Sequence, residues 1–148
     1  MDSYASDLRR RLDFTGAPKQ LLTGINDYLF RELGFAGNNE NYYDPENSYL
    51  NRVLDRRTGN PINLCLVYLL LARRLRLPVT GIGLPGHFIC RHQSSAAEIY
   101  IDVFNGGKFL THKLPQLRTL PIEFVRRGAG LLAPGFHRGD LRCARHGL

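Results

Sequence analysis

Cysteine is scarce in this chain, and its three cysteines follow no pattern typical of a metal or disulfide site. Cys65, Cys90 and Cys143 form no CxxC pair and stand at no paired spacing from the histidines. A structural zinc site or a disulfide framework requires such spacing, so we predict no metal and no cofactor. This cysteine usage is typical of a reducing cytosol. His92 stands near a strand end, where we expect a solvated ring.

Long apolar runs are also missing. The N-terminal residues 1–14 lack the apolar stretch of a signal peptide. No apolar run approaches the roughly 20 residues that a helix needs to cross a bilayer. The sequence therefore predicts a cytoplasmic protein without a membrane partner.

The chain also lacks a basic run interleaved with aromatic residues, although its formal net charge is +7. Residues 126–148 contribute +4 of this charge, and arginines 73, 74 and 76 lie near the end of a predicted helix, where cations complement the helix dipole. A single-strand-binding surface combines basic and aromatic side chains. Binding of nucleic acid is therefore the least favoured of the functions considered.

The apolar residues that are present predict helices first. Over residues 18–33 an apolar stripe at helical spacing begins at a proline and ends before Gly34. Asp44 and Pro45 begin a second helical pattern, which Gly59 ends, and the segment between the two helices reads as a loop. The third helix, with Asn60 as its expected N-cap, runs from Pro61 to about Arg76 and is apolar almost all round. This pattern predicts a central helix that other elements cover.

Short strands are predicted after this helix, at residues 79–84, 86–91, 98–103 and 108–111, with Asn105 to Gly107 as a tight turn. Sequential strands joined by short loops indicate an antiparallel sheet. The fold class is therefore α+β, with N-terminal helices and a central buried helix packed on a small antiparallel sheet.

His87 and Asp102 are the main candidate site residues. If residues 86–91 and 99–103 pair around a loop at 92–97, a symmetric register places His87 directly opposite Asp102, on the same face of the sheet. The two should then face the N-terminal half of the central helix. Asp102 could serve only as a strut that ties two strands together, or it could orient His87 as a general base.

Three motifs, GNPI at residues 59–62, PGHF at 85–88 and IDVFNGG at 101–107, resemble the SirB-type family of the transglutaminase-like superfamily. The resemblance covers most of the first 125 residues. It implies a papain-like α+β fold in which His87 and Asp102 occupy the family's histidine and aspartate positions. We therefore assign residues 1–125 to a transglutaminase-like domain and residues 126–148 to a basic, Gly- and Arg-rich extension.

The nucleophile is where the chain departs from the active pattern that the resemblance implies. In that active pattern a Gly-x-Cys motif begins the central helix. The matching residues of this chain are Gly59, Asn60 and Pro61, so a proline stands where the pattern has its cysteine. Cys65 lies one turn further along the same helix face and is the only substitute thiol. It could point toward the histidine strand, or it could be a small core residue, since free cysteine is among the most buried residue types.

Three functions remain open at this point. The leading hypothesis is a degenerate cleft that binds a protein or peptide partner, with Tyr42 and Tyr43 lining its mouth beside His87. The second is a cysteine-dependent amide hydrolase or transamidase that uses Cys65, His87 and Asp102. The third is a basic nucleic-acid-binding domain.

Overall fold

The computed structural model describes residues 1–84, 86–110 and 118–119. In this part of the chain the α-helices are α1 (Asp2–Arg11), α2 (Pro18–Asn26), α3 (Leu50–Arg56) and α4 (Pro61–Arg74). A π-helical stretch, Asp27–Glu32, continues α2, and a 3-10 turn, Pro45–Ser48, precedes α3. The predicted extension at residues 126–148, and with it the predicted domain boundary, lies outside the described residues.

Two sheets follow from the strand pairing of the described residues. The strands β1 (Ala36–Gly37) and β2 (Thr58–Gly59) form a short parallel pair. The main antiparallel sheet has the order β6-β5-β4-β3-β7, so that β4 is its central strand. Its members are β3 (Val79–Leu84), β4 (His87–Gln93), β5 (Glu98–Asp102), β6 (Lys108–Leu110) and β7 (Arg118–Thr119). The predicted α+β architecture, helices before an antiparallel sheet, is confirmed.

The central helix α4 begins as the sequence predicts. Asn60 is its N-cap, and its side-chain oxygen accepts a hydrogen bond from Asn63 N at 2.8 Å. Pro61 occupies the first helical position, where its fixed φ suits the helix and its missing N–H leaves no donor unsatisfied. The helix ends two residues before Arg76, which adopts a left-handed φ of 57°. Both ends are therefore determined by local backbone chemistry.

The two earlier helical segments need correction. The helix predicted over residues 18–33 runs from Pro18 to Glu32, but its last six residues, Asp27–Glu32, are π-helical, and Gly34 with φ 75° follows its end. The helical pattern after Asp44 divides into a 3-10 turn and α3, which stops at Arg57 with φ 55° rather than at Gly59. Gly59 instead lies in β2, and the predicted loop contributes β1. Strands β1 and β2 pair residues that are distant in the sequence, and local sequence patterns do not predict such pairing.

The main core lies between the helices and one face of the sheet. Its fully buried members include Leu22, Leu29 and Val53 from the N-terminal half and Leu71 from α4. Ile82, Ile89 and Tyr100 form a smaller buried cluster elsewhere on the sheet. None of the helices described is long and apolar enough to cross a membrane.

Candidate functional site

The strands that carry His87 and Asp102 pair in a register two residues away from the predicted one. Cys90 pairs with Ile101. One step further along the same ladder, Asp102 stands opposite Ile89 rather than opposite His87. The prediction of directly opposed residues was therefore wrong.

A shorter turn explains this shift. Strand β4 continues through Gln93, and Ser94 N donates to Ala97 O at 2.9 Å across the turn. A shift of two residues preserves the face on which each side chain lies, because side chains alternate with a period of two. His87 and Asp102 are consequently diagonal neighbours on one face, still within reach of long side chains.

The two side chains meet directly. His87 Nε2 lies 2.9 Å from Asp102 Oδ1, and the side chains are only 11% and 4% exposed. An ionised carboxylate only accepts hydrogen bonds, so Nε2 carries a proton and donates it to this bond, and Nδ1 offers a lone pair whenever the ring holds no second proton. Asn105 Nδ2 donates to the second carboxylate oxygen at 2.8 Å. Both oxygens of Asp102 therefore have partners, and the histidine ring is held in one orientation.

The charge of Asp102 is favoured by these partners. Burial by itself raises the pKa of Asp102, but the hydrogen bonds from His87 and Asn105 and the charge of His87 outweigh it, and the pKa lies below its ordinary value. The carboxylate is therefore ionised at neutral pH. It can stabilise a proton taken up by His87, as the aspartate of a catalytic triad does. Amide chemistry would require a nucleophile in addition.

A row of aromatic rings leads from the surface to His87. The centroids of Tyr43 and Tyr42 are 5.3 Å apart, those of Tyr42 and Phe104 5.9 Å, and those of Phe104 and His87 6.3 Å. All three contacts are edge-to-face, the arrangement that aromatic quadrupoles favour. Tyr43 is 54% exposed. We refer to Tyr42, Tyr43 and Phe104 as the aromatic row.

Buried asparagines hold the loop that carries the two tyrosines. Asn47 Nδ2 donates to the carbonyl oxygens of Asn41 and Tyr42 at 2.8 and 3.1 Å. Asn38 Nδ2 donates to Asn47 Oδ1 at 3.0 Å, and Asn60 N donates to Asn47 O at 3.4 Å. This network, formed by Asn38, Asn47 and Asn60, ties the tyrosine loop to the start of α4.

Cys65 contacts Cys90, on the central strand of the main sheet. It is fully buried, and its Sγ lies 3.1 Å from Sγ of Cys90. Burial, followed by the hydrogen bond with Cys90 and the charges of Cys90 and Asp102, raises the pKa of the Cys65 thiol well above its ordinary value. A nucleophilic thiol needs a lowered pKa. Among the described residues, hydrogen bonds join Cys65 to Cys90 and His87 to Asp102, and none joins Cys65 to His87.

His92 also differs from its expectation. It lies within β4 and is only 3% exposed, and its buried Nδ1 has no hydrogen-bond partner among the described residues. Burial lowers the pKa of His92 below its ordinary value, so the ring is neutral at pH 7. The expectation of a solvated ring was wrong because the strand extends two residues beyond its predicted end.

Comparison with known families decides the classification. A family model described as the transglutaminase-like superfamily matches residues 1–121. The chain belongs to the transglutaminase-like superfamily. Among the described residues of this superfamily member, no group of three or more His, Cys, Asp or Glu side chains is placed to hold a metal ion.

Several curated proteins are similar to this transglutaminase-like chain. A UPF0162 protein of Xylella fastidiosa strain 9a5c is 38% identical over 143 residues, which is 93% of this chain and 51% of the relative. A UPF0162 protein of Pseudomonas aeruginosa is 42% identical over 111 residues, covering 75% of this chain and 40% of the relative. F-box only protein 21 of Mus musculus is 42% identical over 102 residues, covering 64% of this chain and 16% of that protein. The chain thus spans about half or less of these relatives. No solved structure matches it.

Sequence reasoning missed two components of the transglutaminase-like site. Phe104 lies inside the motif IDVFNGG, yet only its position beside both His87 and Tyr42 gives it a role. The buried asparagine network was also missed, except for Asn60 as a helix cap. Asparagines near turns are ordinarily solvated, and the sequence carries no signal that separates Asn47, which is 1% exposed, from its exposed neighbours.

The pKa of Asp102 predicts an acid-sensitive contribution to stability. A carboxylate whose folded pKa is depressed stabilises the fold above its unfolded pKa of about 3.9, and this contribution is lost as the pH falls through the folded value. We expect Asp102→Asn to lower the free energy of unfolding by about 2 kcal/mol at pH 7. The difference from the wild type should shrink as the pH falls from about 5 to below 3.

Urea unfolding at a series of pH values measures this effect. Asp55→Asn provides the control, because Asp55 is exposed on α3. It should change stability by less than about 0.5 kcal/mol at neutral pH. A penalty for Asp102→Asn that stays constant down to pH 3 would contradict a charge-dependent role for Asp102.

Proposed function

We propose that this chain is a transglutaminase-like domain of the SirB type whose His87–Asp102 site binds an extended segment of a protein partner without amide chemistry. The observation that carries the proposal is the position of Cys65, whose thiol is buried against Cys90. Acyl transfer needs a poised nucleophile and oxyanion donors as well as a base. Pro61, at the start of α4, offers neither a thiol nor a backbone N–H.

The aromatic row supplies the apolar part of the proposed interface. Tyrosine and phenylalanine are enriched at protein interfaces, where a few aromatic anchors carry most of the binding energy. Tyr43 presents its ring to solvent, while Tyr42 and Phe104 continue the row inward. A partner segment would place one apolar side chain against this row. Its backbone N–H would donate to Nδ1 of His87, which the hydrogen bond to Asp102 holds in place.

The two alternative functions have weaker support. A hydrolase that uses Cys65 would need a thiol near His87 with a lowered pKa, whereas the pKa of Cys65 is raised. Binding of nucleic acid would need unpaired basic side chains in a contiguous face. Within the described residues several arginines are instead engaged by carboxylates, namely Arg10 with Asp7, Arg11 with Glu32, Arg52 with Glu46, Arg56 with Asp44 and Arg74 with Asp2. A cytoplasmic location, which the cysteine usage favours, remains part of the proposal.

Peptide binding provides the test. Peptides selected on the immobilised protein from a random displayed library would be labelled, and their dissociation constants measured by fluorescence anisotropy. We expect Tyr43→Ala to weaken binding about tenfold, because it removes an aromatic anchor. Tyr49→Ala is the matched control, since Tyr49 is 52% exposed, close to the value for Tyr43, and no ring contact found in the described residues joins it to the aromatic row. It should change affinity less than about twofold.

Two results would overturn the proposal. One is equal loss of affinity in the Tyr43→Ala and Tyr49→Ala variants, which would place the peptide outside the aromatic row. The other is turnover of a glutamine or peptide amide substrate that is lost in both Cys65→Ala and His87→Ala variants while they remain folded. Such turnover would establish the cysteine-dependent enzyme instead.

A further inference from the structure

Cys65 and Cys90 form a buried pair of thiols that the proposed binding site does not use. Cys65 lies in the second turn of α4, and Cys90 lies in β4, the central strand of the main sheet. Both side chains are fully buried, and their sulfur atoms are 3.1 Å apart. A disulfide has an S–S distance of about 2.05 Å, so a relative movement of about 1 Å would bring the two sulfurs to bonding distance.

We propose that this pair is a modification site at which a hydroperoxide converts the two thiols into an intramolecular disulfide. In the first step one sulfur attacks a peroxide oxygen, which breaks the O–O bond and yields a sulfenic acid and, from hydrogen peroxide, one water. The second thiol then attacks the oxidised sulfur, the S–S bond forms, and the sulfenic oxygen leaves as a second water. Two electrons pass from the two sulfurs to the peroxide, and the two thiol protons end in the water molecules.

The geometry favours the disulfide over further oxidation. A sulfenic acid formed on either cysteine would have the other thiol as its neighbour and would be shielded from dissolved thiols and from a second peroxide. Holding two reacting groups at contact distance gives them a high effective concentration. The first step is slow, because peroxide reaches a fully buried sulfur only when the structure opens locally and because a protonated thiol is a poor nucleophile.

The disulfide would tie α4 to the strand that also carries His87. Cys65 and Cys90 are 25 residues apart in the chain. A cross-link that closes a loop of this size restricts the unfolded chain and raises stability. The oxidised protein should therefore unfold at a temperature about 5 to 10 °C higher than the reduced protein.

The experiment uses the full chain with the third cysteine removed, Cys143→Ser, so that only the pair can react. The reduced protein is incubated with hydrogen peroxide alongside a small free thiol whose oxidation calibrates the dose. We expect peptide mapping under non-reducing conditions to recover one peptide pair joined through Cys65 and Cys90. The rise in unfolding temperature should accompany it, and dithiothreitol should reverse both.

The control variants are Cys65→Ala and Cys90→Ala in the same background. Neither should gain thermal stability on oxidation, because each lacks one of the two sulfurs. The mapping result stands without these variants if either fails to fold. Two thiols that stay unmodified after an incubation far longer than the free thiol needs for full oxidation, or sulfinic acid on either cysteine in place of the cross-link, would overturn the proposal.

Discussion

Replacement of Asn47 by alanine is expected to lower the free energy of unfolding by about 3 kcal/mol. The Asn47 side chain is 1% exposed and makes three hydrogen bonds, two as donor to the carbonyls of Asn41 and Tyr42 and one as acceptor from Asn38. Alanine removes all three: the amide of buried Asn38 loses its acceptor, and the carbonyls of Asn41 and Tyr42 lose a donor where they are partly buried. Unsatisfied groups of this kind cost about 1–3 kcal/mol each where water cannot replace the lost partner.

The same substitution should also affect the aromatic row. Asn47 holds the carbonyl of Tyr42, whose ring contacts Phe104 next to His87. We therefore expect a folded Asn47→Ala variant, studied at low temperature, to bind a selected peptide more weakly than the wild type. Loss of stability without any loss of peptide affinity would separate the asparagine network from the proposed binding site.

Asn39→Ala is the matched control for Asn47→Ala. Asn39 lies in the same loop, but it is exposed, and no side-chain hydrogen bond is found for it among the described residues. Its replacement should change the free energy of unfolding by less than about 0.5 kcal/mol in urea titrations. If the two variants lost similar amounts of unfolding free energy, burial of Asn47 and its hydrogen bonds would not explain the effect.

Replacement of Gly107 by alanine is expected to lower the free energy of unfolding by about 3–4 kcal/mol. Gly107 has φ 78°, a left-handed conformation that costs an L-residue about 1–2 kcal/mol. A Cβ atom there would also lie 2.7 Å from Asn26 Cγ and from Phe30 Cε2. Asn26 Nδ2 donates to Gly107 O at 2.8 Å, so relief of this clash would break a buried hydrogen bond.

Gly106→Ala separates the cost of the left-handed backbone conformation from the cost of the close contacts at Gly107. Gly106 has φ 72°, close to that of its neighbour, but a Cβ atom there would meet no heavy atom of the described part of the chain within 4 Å. Its replacement should cost about 1–2 kcal/mol, from the left-handed conformation alone. Equal losses for the two glycines in urea or thermal unfolding would show that the contact with Asn26 and Phe30 adds nothing.

Local chemistry in the sequence determines several features of this protein by itself. Asn60 and Pro61 specify the start of α4 through a side-chain cap and a fixed φ, and the strand at 79–84 has the bounds that its sequence predicts. Alternation along two strands also places His87 and Asp102 on one face, and that result survives the shifted register because the shift is even. Each of these features depends on neighbouring residues or on the periodicity of side chains, and both are properties of the local sequence that do not depend on tertiary contacts.

Only the tertiary structure decided the features that depend on contacts between distant segments. The length of the turn after Gln93 set the register of β4 and β5 and buried His92. The packing of α4 on the sheet paired Cys65 with Cys90 rather than with His87, and a network across more than one element buried Asn47. The sequence contains every one of these residues. Which of them become partners depends on how elements far apart in the chain pack together and exclude water, and local sequence patterns do not determine that packing.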